Sequence, residues 1–128
     1  MTPVRSIPIR DYERFAAETD RCPRRLLGPI YYLALGLAGE AGEVANEVKK
    51  VARDHFGVVT PACRALILYE LGDVLWYLAR LADYLDSSLE EVAALNVEKL
   101  TRRYHCEEKT QATTVPAGFR RPEEPPGN

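Results

Sequence analysis

An all-α protein, a bundle of four to five helices, is what this sequence predicts. Apolar residues recur at three- and four-residue spacing through most of the first hundred positions, and no window alternates as a half-buried strand does. Helix start and stop signals fall between those windows. Two acidic pairs, each spaced i, i+3, sit on successive long helical windows.

Residues 1–10 read as extended, with Pro3 and Pro8 as breakers. Asp11 to Thr19 reads as a short helix that buries Tyr12 and Phe15, ended by the region around Arg21, Pro23 and Arg25. A long helix follows from Pro29, which a first turn tolerates, to Phe56, with Gly57 as its stop. Thr60-Pro61 is an N-cap with proline behind it, opening a helix that runs to about Leu85. Ser88-Leu89-Glu90-Glu91 fits a capping box, and the last helix runs from there to about Tyr104. Residues 1–106 are expected to form one helical domain. Residues 107–128 are polar and proline-rich, the composition of a disordered tail.

The net charge is −2 with both signs interspersed, which points to neither a nucleic-acid nor a membrane partner. The longest uncharged run, Leu26 to Gly39, falls short of the roughly 20 apolar residues a bilayer needs. It also lies too far from Met1 for a signal peptide. Cys22, Cys63 and Cys106 are odd in number and contain no CxxC, so reduced thiols and a cytoplasmic setting are expected.

Glu40, Glu43 and Glu47 recur at i, i+3 and i+7 on the second helix, among Gly36, Gly39 and Gly42. Like charges at that spacing repel, and each interior glycine costs roughly 1 kcal/mol against alanine. Glu70 and Asp73 repeat the pair among Leu66, Ile67, Leu71, Val74 and Leu75. Carboxylates there are costly unless paired or metal-bound. The two pairs facing each other make a four-carboxylate box for a hard cation, magnesium with manganese as substitute. A solvated, salt-bridged helix face is the alternative for Glu40 and Glu43. Glu47 is either a base near the box or a partner of Lys50. A ferritin-like di-iron site is the competitor, but neither His55 nor His105 completes Glu-x-x-His, which favours an oxygen-only set with magnesium or manganese.

On the fourth helix Asn96, Lys99 and Arg103 share a stripe, in line with Leu89, Ala93 and Leu100. Asn96 either bonds a neighbouring helix or reaches a substrate whose phosphates Lys99, Arg103 and Lys50 meet. Trp76 and Tyr77 either stack on a base or pack in the core.

Gly39-Glu40-Ala41-Gly42-Glu43-Val44, Glu70-Leu71-Gly72-Asp73-Val74-Leu75-Trp76-Tyr77, Leu89-Glu90-Glu91-Val92, and Asn96-x-x-Lys99-Leu100-x-x-Arg103-Tyr104 together resemble the MazG-like nucleotide pyrophosphohydrolases over roughly residues 30–104. The family pattern is Glu-x-x-Glu, a spacer, then Glu-x-x-Asp. The resemblance implies an all-α fold assembled as a homodimer or homotetramer, and magnesium-dependent cleavage of a nucleoside triphosphate to monophosphate and pyrophosphate. It puts the metal and the catalysis on Glu40, Glu43, Glu70 and Asp73, and nucleotide contacts on Asn96, Lys99, Arg103 and Tyr104. The activated water would attack the α-phosphorus, with Glu43 or Glu47 as base. No residue assigns the nucleobase; a guanine deoxynucleotide is the default expectation. A phosphoribosyl-ATP pyrophosphohydrolase and a non-catalytic helical adaptor are the competing functions.

Overall fold

The computed structural model describes residues 6–22 and 28–113, with side chains as far as Tyr104. Four helices follow one another: α1 (Ile9–Thr19), α2 (Pro29–Asp54), α3 (Pro61–Tyr84) and α4 (Leu89–Thr113). The described residues contain no strand. None of their helices is long and apolar enough to cross a membrane. The chain divides into two units, residues 1–92 and 93–128.

In the first unit α2 and α3 run antiparallel and make the main packing, while α1 lies on α3. Leu33 and Val51 are the buried residues of α2, five helical turns apart, and they define the line along which it meets α3. Cys63, Ala79, Arg80 and Ala82 are buried on α3. The first helix starts at Ile9, two residues before the sequence suggests. It buries Ala16, whereas Phe15 is 55% exposed. Side chains rather than apolar area hold it in place. The Tyr12 hydroxyl donates to the Gly72 carbonyl at 3.2 Å, the Trp76 indole N–H to Thr19 Oγ1 at 2.9 Å, and Arg80 Nε to Asp20 at 2.9 Å.

The punctuation is local chemistry. Gly28 enters α2 at a φ of 84°, a conformation that favours glycine. The helix stops at Asp54 rather than Phe56 because Phe56 itself turns left-handed, at φ 51°, ahead of Gly57. Thr60 caps α3, its hydroxyl accepting from the Cys63 N–H at 3.2 Å. The other end of α3 is a Schellman turn in which Asp86, at φ 54°, takes the usual glycine place, with the Ser87 N–H bonded to the Ala82 carbonyl.

Ser88 accepts from the Glu91 N–H, one half of the expected capping box, while Glu91 takes the Ser87 hydroxyl. A further cap comes from α1: Glu13 accepts from the Leu89 N–H at 2.7 Å. The fourth helix then continues to Thr113, so residues 107–113 of the expected tail are helical. Residues 114–128 lie outside the described part of the chain. Cys22 and Cys63 are free thiols.

Candidate metal centre

The antiparallel register of α2 and α3 sets Gly36 against Tyr77 and, one turn along, Glu40 beside Asp73 and Glu70. Carboxylate oxygens of Glu40, Glu70 and Asp73 all lie within 4.8 Å of one another. Glu40 and Glu70 are half-buried and Asp73 is exposed. All three carboxylates stand on helices, Glu40 on α2 and Glu70 and Asp73 on α3, so the geometry of the cluster depends on helix packing.

No lysine, arginine or histidine forms an ion pair with these three among the described residues, nor do they accept a hydrogen bond there. Other acids of the first unit are treated differently. Asp20 pairs with Arg80, Asp54 with Arg53, and Glu47 with Lys50. Oxygen-only donors gathered at this distance, with no cation of the chain's own, fit a divalent hard metal.

The electrostatics follow. Partial burial and then the charges of Asp73, Glu70 and Glu43 raise the Glu40 carboxyl above the ordinary 4.5. Burial and then Asp73 raise the Tyr12 phenol. Tyr12 is a wall of the site that the sequence did not reveal; only its place on the inner side of α1 hinted at it. A raised acid binds more protons folded than unfolded just above its ordinary titration range, so stability falls as pH rises through that window. Metal-free protein is therefore expected to melt higher near pH 5 than at pH 7. Glu40→Gln should flatten that slope. A thermal melt series in chelator checks both, and an unchanged slope in the variant would assign the pH dependence elsewhere.

The other sequence candidates are placed as follows. Glu43 is exposed on α2 beside Gly39, Gly42, Asn46 and Lys49, outside the three-carboxylate cluster though within its field. Lys50 is bonded to Glu47, whose carboxylate raises the ammonium pKa; Glu47 is thus engaged on its own helix. Trp76 is braced by Thr19 and packs T-shaped against Tyr77, with ring centroids 5.0 Å apart at 81°. Asn96, Lys99, Arg103 and Tyr104 are all exposed on α4, within the second unit.

A family model described as the MazG nucleotide pyrophosphohydrolase domain matches residues 31–106. The chain is also 51% identical over 74 residues to the Gene 37 protein of Mycobacterium phage L5, an alignment spanning 58% of this chain and 65% of that protein. No solved structure matches.

Proposed function

This chain belongs to the MazG nucleotide pyrophosphohydrolase domain family, and from that membership we propose that it cleaves a ribo- or deoxyribonucleoside triphosphate to monophosphate and pyrophosphate, using magnesium. The observation that carries the reading is the gathering of Glu40, Glu70 and Asp73 within 4.8 Å with no basic partner among the described residues. These carboxylates would hold the cation. Magnesium supplies positive charge against a triphosphate and acidifies water.

The chain's own groups do the rest. Glu43, which makes no hydrogen bond or ion pair among the described residues, is the carboxylate available to take the proton of the attacking water, since Glu47 is bonded to Lys50. Lys99 and Arg103 are exposed cations suited to phosphate oxygens, and Asn96 on the same stripe suits a sugar or phosphate contact. A homo-oligomer is part of the proposal. Tyr31 and Leu35 on α2, and Leu66, Leu68 and Tyr69 on α3, are each about half exposed or more, and a second copy would cover them.

The test is a turnover panel of the common ribo- and deoxyribonucleoside triphosphates, with phosphoribosyl-ATP beside them, in magnesium and in chelator. Pyrophosphate is expected from at least one nucleoside triphosphate, and only with metal. Orthophosphate and a nucleoside diphosphate as primary products would reject the reading. Turnover of phosphoribosyl-ATP alone would move it to the competing enzyme.

A further inference from the structure

A cavity of about 280 Å³ opens where α1 ends, α2 begins and α3 finishes. Asp20, Cys22, Leu33, Arg80, Asp83 and Tyr84 line it. It lies on the same face of α3 as the carboxylates: Glu70, Asp73, Tyr77, Arg80 and Tyr84 follow one another at spacings of three and four. From Asp73 to Arg80 the rise is roughly 10 Å at 1.5 Å per residue. That is about the span from the phosphates of a nucleotide to the far edge of its base. Tyr77 stands between the two places on α3, one turn past Asp73 and one turn before Arg80, with Gly36 of α2 against its ring.

The chemistry of the wall is unlike that of a plain structural ion pair. Arg80 is buried, and it donates through Nε to Asp20 and through one terminal nitrogen to Asp83 at 2.7 Å. Two of its five N–H groups are thereby used, and the others have no acceptor among the described residues. Asp83 is 64% exposed, so its carboxylate still faces solvent while Arg80 holds it. A guanidinium with donors to spare beside a fixed, accessible carboxylate offers a donor and an acceptor side by side. A nucleobase edge carries the matching acceptor and donor. Leu33 and Tyr84 supply the apolar and aromatic walls that a flat ring needs.

We propose that this cavity is the nucleobase subsite, with Arg80 and Asp83 reading the base edge while the triphosphate lies toward Glu40, Glu70 and Asp73. The proposal rests on the nucleotide reading of the carboxylate cluster and adds to it the groups that choose the substrate. Asp20 is a positioning residue, holding the Arg80 guanidinium in plane from the end of α1.

Asp83→Asn exchanges the acceptor for an amide at similar size and leaves the more buried Asp20–Arg80 pair in place. Cys22→Leu fills part of the cavity without replacing any charged group. Steady-state kinetics on the nucleotide panel and on ribose 5′-triphosphate, which has no base, read the outcome. For each variant the KM for the preferred nucleotide is expected to rise at least tenfold relative to the KM for ribose 5′-triphosphate. Equal changes on both substrates, or none, would overturn the subsite. A second arm needs no turnover: equilibrium dialysis of deoxynucleosides lacking phosphate. Wild-type protein should retain at least one of them at millimolar concentration, and Asp83→Asn should bind it about tenfold more weakly. No retention by the wild type overturns the subsite even where the panel shows pyrophosphate release. Retention without any turnover would keep the subsite and reject the hydrolase reading.

Discussion

Asp73→Asn is expected to lower turnover at least about 100-fold and, in chelator, to melt no lower than the wild-type protein. The first effect reflects a lost ligand: a cation contributes several kcal/mol of charge stabilisation, and each ~1.4 kcal/mol is a factor of ten in rate. The second reflects repulsion. Carboxylate oxygens within 4.8 Å of one another repel by about 1 kcal/mol per pair even in a water-like dielectric, and Asp73 has no hydrogen-bond partner to lose among the described residues. Magnesium should reverse the order. A ligand at 100 times its Kd stabilises the folded state by ~2.7 kcal/mol, and the wild type should gain more of this than the variant. Four melts, each protein with chelator and with excess magnesium, together with one activity assay, check all three statements. A variant that melts well below wild type in chelator would give Asp73 a structural partner. One that keeps wild-type turnover would remove it from the site.

Gly36→Ala should destabilise the fold by about 1–3 kcal/mol, the usual range for overpacking. That is roughly 5–20 °C in Tm for a domain near 100 residues. A Cβ there would sit 2.8 Å from Tyr77 Cδ1 and nearer still to Cε1 and Cζ. The ring cannot simply withdraw, because it packs T-shaped against the Trp76 indole, which is itself bonded to Thr19. The roughly 1 kcal/mol that alanine adds to a helix is too small to offset this. Gly39→Ala is the control: nothing lies within 4 Å of its Cβ, so it should raise Tm slightly. Equal shifts for the two variants would show that Tyr77 does not need the glycine.

The acidic cluster was readable from spacing because helix geometry fixes which residues of one helix share a face. What spacing could not fix was the face α2 turns to α3. The buried line from Leu33 to Val51 passes Glu40, Val44 and Glu47, and Glu43 is turned about 60° from Glu40. Thus Glu40 meets the pair from α3 while Glu43 stays on the open surface. The same ambiguity put Phe15 in the core in place of Ala16, one position further on. That α4 runs on to Thr113 rather than ending near Tyr104 has another cause. Glu107-Glu108-Lys109 reads as polar tail by composition, yet these are strong helix formers, and the first breaker after them is Pro116. Asp20 and Arg80 carried no signal, and Tyr12 only its place on the inner side of α1, since their partners lie some sixty residues away in sequence.

The way α1 is held sets the order in which the first unit comes apart. Only Ala16 of that helix is buried, and its hydrogen bonds to the rest of the unit are three side-chain ones to α3 and two to the start of α4, through Arg10 and Glu13. A segment held so lightly opens at a fraction of the global unfolding free energy, as one cooperative piece. Its backbone amides should accordingly exchange with deuterated solvent ahead of those facing the α2–α3 seam. Because Asp20 and Cys22 stand at its end, the same local melting uncovers one wall of the cavity while leaving the carboxylate cluster assembled.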